Sequence, residues 1–423
     1  MFDKPSALAL GVTATISAGV GYLLAQNAAT IRSSESPSNE DEVERLIRPN
    51  ILALTPYRCA RDDYDSGILL DANENSLGPC LGPNNEFQQL QLERYPCPYQ
   101  KDLKQALADY RNAGLNGDRV KTENIFLGVG SDEAIDLIIR VACTPRVDTI
   151  LITPPTYGMY QVCANIHDVG IISVPLEVDA PAENPRGLLD GHPLPSFHIN
   201  PQKILAAVQP STKIIFLCSP GNPTANALRL EDILTVLESP KYKGLVVVDE
   251  AYIDFSETSQ SLCTMVNQHR RLVVLQTLSK AFGLAGVRLG SAFGDPKLIQ
   301  VLNNVKAPYN INKLTAKVAG DALGRINDLS RKIDVIKEEK DRVIRALRQF
   351  PFVKAIYASD SNFVLFEIPK ALQVYREMAN RGVVIRYRGN QLLLNDCLRA
   401  TIGSKAENDS MLQLLAQVVS ELK

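Results

Sequence analysis

Through the middle of the chain, apolar residues gather in short unbroken runs rather than in alternation. Phe126-Leu127-Gly128-Val129, residues 149–153, Lys213-Ile214-Ile215-Phe216-Leu217, Leu245-Val246-Val247-Val248 and Leu272-Val273-Val274-Leu275 each give way to a turn or a helical segment. Runs of this kind read as strands buried on both faces, and their spacing with helices between them predicts a parallel sheet covered on both sides. An amphipathic helix is expected over residues 100–110, and a short strand at Ile68-Leu69-Leu70 precedes it. Residues 178–201 carry several prolines and glycines with little periodicity, and read as a surface insertion. After Pro308 the pattern changes. Residues 312–348 form one long charged helical stretch, followed by shorter segments at 363–366, 374–380, 383–386 and 398–402, with a closing helix after Ala406. The expected fold class is α/β, with a mostly parallel sheet in a large domain (residues 101–308) and a smaller α+β domain (309–423). Residues 46–100 form an arm that contributes to the smaller domain.

Composition adds limits. At 423 residues the chain has room for two cores. A net charge of −2 leaves no basic excess for nucleic acid. The eight cysteines are scattered, with neither a Cys-x-x-Cys pair nor a zinc spacing, and most have apolar neighbours. They read as reduced core residues, so a reducing, cytoplasmic setting and no metal are expected. Residues 6–25 are uncharged and rich in Ala, Leu, Val and Gly, just long enough to cross a bilayer. Three readings stand for them: a membrane anchor or signal peptide, an organelle-targeting leader, or an extension that the folded body does not need. Residues 33–44 are a polar, acidic linker, which sets residues 1–45 apart.

The chemistry collects where the strands end, the edge at which open α/β sheets place ligands. Thr277, Ser279 and Lys280 follow one strand, and Gly283 and Gly286 permit a turn that returns Arg288 toward them. A lysine suits imine formation with an aldehyde, while hydroxyls and a guanidinium suit its phosphate. Gly130-Ser131-Asp132 opens a helix whose free N–H groups also suit a phosphate, although Ser131 or Asp132 can serve as an ordinary N-cap. Tyr157 is placed to stack on a planar ring or to pack in the core. Asp249 closes another strand, where a carboxylate can hold a pyridine nitrogen protonated, and Asn222 and Tyr252 can donate to a ring oxygen. Together these groups match the needs of pyridoxal 5′-phosphate. Asp71-Ala72-Asn73-Glu74-Asn75 is either an Asx-rich turn or a substrate loop.

The motifs SPGNPT, VVVDEAY and TLSKAFGLAGVRLG resemble those of fold-type-I pyridoxal-phosphate aminotransferases. With PYRCARDD, GILLDANENSLGP, LGVGSDEAIDLIIR, PPTYGMY and LRATIG, the chain is similar to the fungal-type histidinol-phosphate aminotransferase family, from about Arg48 onward except the insertion after Val178. The resemblance implies a mostly parallel sheet of the seven-stranded type. It implies a Schiff base between Lys280 and the cofactor, Asp249 on the ring nitrogen, and Asn222 and Tyr252 on the ring oxygen. Tyr157 would stack on the ring, and Ser131, Asp132, Thr277, Ser279 and Arg288 would surround the phosphate. It further implies a homodimer in which Tyr95 enters the partner's site, with Arg386 and Arg399 gripping the substrate and Asn73 and Tyr57 nearby. The substrates would be histidinol phosphate with 2-oxoglutarate, or glutamate in the other half-reaction. Arginine suits both phosphate and carboxylate. Ala225 stands where the family has glycine, and Ala400 replaces a larger aliphatic residue. An aromatic aminotransferase, a threonine-phosphate decarboxylase and a non-catalytic tethered homologue are the rival readings.

Overall fold

The computed structural model describes residues 41–55, 71–81, 87–114, 117, 119–179 and 188–422. The chain divides into two units, Met1–Arg45 and Leu46–Lys423, and the account below concerns the second. The apolar segment 6–25, most of the acidic linker, Tyr57 and the expected strand at 68–70 lie outside the described residues. Among the described residues, no helix is long and apolar enough to cross a membrane.

The five apolar runs are strands, and six further strands that the pattern did not mark lie among them. In chain order they are β1 (Ile125–Val129), β2 (Thr149–Ile152), β3 (Gly170–Ser173), β4 (Glu177–Asp179), β5 (Leu188–Leu189), β6 (His192–Pro193), β7 (Ser196–His198), β8 (Thr212–Cys218), β9 (Leu245–Asp249), β10 (Leu272–Thr277) and β11 (Leu289–Phe293). Seven of them form one sheet in the order β1-β11-β10-β9-β8-β2-β3. Every pair is parallel except the two that β11 makes. β8, β9 and β10 are buried almost throughout, as their unbroken Val/Ile/Leu runs require. Helix Ser131–Ala142 buries Ala134, Ile135, Leu137, Ile138 and Ile139, which packs it firmly at the carboxyl end of β1.

A second sheet, β12 (Ala355–Ile356), β13 (Phe363–Glu367), β14 (Arg386–Tyr387) and β15 (Cys397–Thr401), runs in the order β12-β13-β15-β14 and is antiparallel throughout. Its two faces have different neighbours. Val364, Phe366, Leu398 and Ala400 pack with Val374, Val343 and Leu415 of helices Ala371–Asn380, Ile326–Arg348 and Lys405–Glu421. Leu365 and Cys397, one residue out of phase, join the core of the larger sheet, and Phe363 meets the Tyr252 ring edge-on at 5.2 Å.

Three expectations need correction. The stretch 312–348 is two helices, Lys313–Leu323 and Ile326–Arg348, because Gly324 ends the first. Residues 178–201 are not only surface: β4 pairs with β7, β5 with β6, Phe197 and Ile199 enter the main core, and Leu189 and Leu194 enter the core beneath the second sheet. These strands are too short to show a period. The antiparallel β11 went unread because Gly290 and Ser291 interrupt its apolar pattern.

Candidate active site

The helix that follows β1 begins without a side-chain cap. Gly130 occupies the N-cap position at φ 73, so the first N–H groups of Ser131–Ala142 are left open and the positive end of the helix faces outward. Neither Ser131 nor Asp132 is the cap, contrary to the ordinary reading. A Cβ on Gly130 would stand 2.5 Å from Nη2 of Arg288. Arg288 itself adopts a left-handed φ of 59 at the end of the turn that begins with Gly283 at φ 67. Its Nη1 lies 3.5 Å from Oγ of Ser279 and its Nη2 3.6 Å from a carboxylate oxygen of Asp132. Oγ1 of Thr277 sits 2.9 Å from Oγ of Ser279 and accepts the Ser279 N–H at 3.1 Å. Two hydroxyls, a guanidinium and an uncapped helix start thus converge on one spot.

Asp249, 2% exposed, ends β9. Tyr160 donates its hydroxyl proton to the carboxylate at 2.7 Å, and the Ala251 N–H donates at 3.2 Å. Burial nevertheless outweighs these donors and pushes the carboxyl up to about 6. Tyr160 is fully buried and stacks on Phe216 at 4.6 Å, so its hydroxyl is fixed. Tyr157 donates to Asp132 at 3.0 Å. The Lys280 amine lies 5.6 Å from the Tyr252 ring centroid, and its pKa is lowered first by desolvation and then by Arg399. Burial raises the Tyr252 phenol, against the pull of Arg399.

One cavity is lined by Ser131, Asp132, Tyr157, Asn222, Asp249, Tyr252, Thr277, Ser279, Lys280 and Arg288, together with Gly130, Cys218, Ala251 and Ala285. Lys280 and Asp249 therefore open onto the same space. The cavity combines the uncapped helix start, two hydroxyls and a guanidinium with a buried carboxylate, to which no counter-cation is hydrogen-bonded among the described residues. This donor set fits a ring that carries a phosphate, a carbonyl and a protonated nitrogen.

The expected substrate residues are less concentrated. Arg399 donates to Oδ1 of Asn222 at 2.5 Å, and its guanidinium lies 5.0 Å from the Phe363 ring centroid. Arg386 is paired with Arg399 across β14 and β15, but lines a neighbouring cavity that also includes Arg399, Glu407 and Asn408. Tyr95 is half-exposed, stacks on Tyr309 at 4.6 Å and does not line the first cavity; nor does exposed Asn73, at φ 54. Tyr57 lies outside the described residues. The sequence reading missed Tyr160, three residues after Tyr157, and Arg388, two residues after Arg386, and neither spacing by itself marks a site.

The family model described as aminotransferase class I and II matches residues 66–415. The histidinol-phosphate aminotransferase of Candida maltosa is 43% identical over 401 residues, 90% of this chain and 99% of that protein. That of Schizosaccharomyces pombe is 40% identical over 398 residues, 90% of this chain and 98% of that protein. Among solved structures, histidinol-phosphate aminotransferase from Sinorhizobium meliloti in complex with pyridoxal-5′-phosphate matches with a TM-score of 0.67 at 22% identity, covering 92% of this chain and 100% of that one. At that identity the structural likeness concerns the fold.

Proposed function

The chain belongs to the class I and II aminotransferases, and from that premise we propose that it transfers the amino group between histidinol phosphate and 2-oxoglutarate with pyridoxal 5′-phosphate, a step of histidine biosynthesis. The observation that carries this reading is the single cavity shared by Lys280, Asp249 and the residues at the uncapped helix start. Bound there, the cofactor supplies an electron sink for charge that develops at the substrate α-carbon. The residues of the chain do the rest. The uncapped helix start, Thr277, Ser279 and Arg288 hold the phosphate, and Asp249, oriented by Tyr160, keeps the ring nitrogen protonated. Asn222 and Tyr252 donate to the ring oxygen, and Tyr157 covers the ring face. Lys280 holds the cofactor aldehyde and, with its pKa lowered, moves the proton at the substrate α-carbon. Arg399 and Arg386 receive the anionic end of the substrate, and Tyr57, Asn73 and Tyr95 complete the site.

The same reading makes the protein a homodimer, with Tyr95 serving the partner's site. It divides the body into an arm (46–100), a cofactor-binding domain (101–308) and a small domain (309–423).

The test is amino transfer from histidinol phosphate to 2-oxoglutarate, followed as glutamate formed. Lys280→Ala is expected to lower the rate by about 10²–10⁴-fold, the usual worth of a positioned acid–base group, and to abolish the visible absorbance of the lysine-bound cofactor. Full activity in that variant, or carbon dioxide release from phosphothreonine without amino transfer, would overturn the assignment.

A further inference from the structure

Arg388 has no place in the scheme above, yet the sheet sets it on the same face as Arg399, which reaches Asn222. Its N–H donates to the Cys397 carbonyl at 2.9 Å, extending the β14–β15 ladder by one residue. Along that strand Ile385 and Tyr387 belong to the core with Leu398 and Ala400. Arg386 and Arg388 alternate with them and so share the opposite face with Arg399. This is the face whose Phe363 packs on Tyr252 and whose Arg399 reaches Asn222. Three guanidinium groups therefore occupy one face of a sheet edge that borders the cavity.

A structural role does not account for Arg388. Other arginines drawn into the body of the protein have acceptors: Arg111 pairs with Asp254 at 2.6 Å, Arg270 with Asp295 at 2.6 Å, and Arg271 donates to the carbonyls of Tyr242 and Gly244. Arg388 is partly buried, its Nε is shut off from solvent without a hydrogen-bond acceptor, and among the described residues no carboxylate pairs with it. Gln391, whose N–H donates to the Arg388 carbonyl, also has a buried Oε1 without a partner, and no hydrogen bond joins the two side chains. Burial first, then the like-charged Arg399 and Arg386, push the guanidinium down to about 10, and the Tyr252 phenol opposes them only in part. A desolvated cation that faces two others is costly unless an anion arrives from outside.

We propose that Arg388 is a specificity-determining residue that, with Arg399, binds the phosphate of the phosphorylated amine substrate, a site for which a dianion is better suited than a single carboxylate. The inference rests on the functional reading above and names the group that separates its two substrates. A phosphate offers oxygens to several donors at once and neutralises more than one of the clustered charges. The carboxylate of glutamate can satisfy Arg399 and leave Arg388 unpaired.

Arg388→Gln and Arg388→Lys holoenzymes test this in steady-state assays of both half-reactions. Arg388→Gln is expected to raise the KM for histidinol phosphate about tenfold or more, the worth of one charge-assisted hydrogen bond, and to leave the KM for glutamate within about threefold. Arg388→Lys is expected to recover part of the loss. Calorimetric titration of each holoenzyme with inorganic phosphate reads the same contact without turnover, and the parent is expected to bind more tightly than Arg388→Gln. An unchanged cofactor spectrum shows that the site is still assembled. Equal losses for both substrates, or no loss for either, would overturn the proposal. If the parent enzyme turned over only unphosphorylated amines, the functional reading would fail instead, and the phosphate titration would still decide the role of Arg388.

Discussion

Asp249 shows how one residue can be costly to the fold and useful to the site. Its carboxyl is raised to about 6 by burial, whereas an unfolded aspartate titrates near 3.9. In the cofactor-free protein, the folded state therefore holds a proton that the unfolded state has already lost, and stability falls as pH rises from about 4 to 6. At about 1.4 kcal/mol for each pKa unit, the loss is roughly 3 kcal/mol. A protonated pyridine nitrogen reverses this, because it gives the buried carboxylate a counter-charge. Cofactor retention is accordingly expected to weaken as pH drops below about 6. In Asp249→Asn, which still accepts the Tyr160 proton, the Asp249 share of both pH dependences should vanish, while buried Glu250, raised to about 7, keeps its own share of the fall in stability. Urea midpoints and cofactor dissociation measured from pH 4 to 8 check this, and a variant with the parent's pH profile would refute it. At this scale the sequence revealed which residue types stand at strand ends. It did not reveal Tyr160 or Arg388, since a tyrosine on a buried helix face and an arginine in Arg-Tyr-Arg acquire meaning only from strand register and packing partners.

Among the elements, β11, which like β3 the apolar pattern missed, is the one on which the uncapped helix start depends. Gly290 lies where β11 passes the helix start, and a Cβ there would stand 2.2 Å from the Gly130 carbonyl carbon and from the Ser131 nitrogen. Both are backbone atoms with no rotamer to give way. Gly290→Ala is thus expected to push β11 away from the helix, at a cost of about 1–3 kcal/mol, and to weaken cofactor binding as the free N–H groups lose their position. Gly294→Ala is the control: its new methyl would meet Ile299 at 3.6 Å, an ordinary contact, and should leave stability and cofactor affinity near the parent's values. Thermal unfolding and cofactor titration of the two variants separate a packing clash from the mere loss of a glycine. The long buried strands were legible because their apolar runs have no other explanation. β11 was not, for its glycine is required by a neighbour distant in sequence. The break at Gly324 was hidden by continuous charge patterning across residues 312–348.

Across the whole body, the cavity depends on how the second sheet is fastened to the loop that carries Asn222. Ala225 in that loop adopts φ 71, a left-handed conformation that its methyl group disfavours, and it is fully buried. Glycine adopts this angle freely and alanine does not, so the strain is borne by the surroundings of Ala225. Those surroundings lie between β12 and β13. The Asp360 N–H and the Ser361 hydroxyl both donate to the Ala225 carbonyl, at 3.0 and 2.8 Å. The Asp360 carboxylate accepts from the Ala227 N–H at 2.7 Å, from Ser256 at 3.1 Å and from Thr258 at 2.7 Å. The same sheet sends Arg399 to Asn222. Removing the carboxylate in Asp360→Ala leaves a backbone donor and two hydroxyls without their acceptor, a cost of about 1–3 kcal/mol. If the tether also positions Asn222 and Arg399, kcat/KM should fall at temperatures where the variant is fully folded, while Lys280 still binds the cofactor. A lower urea midpoint with unchanged kcat/KM would mean that the tether stabilises the fold without setting the site. An unchanged midpoint would mean that solvent replaces Asp360 at no cost.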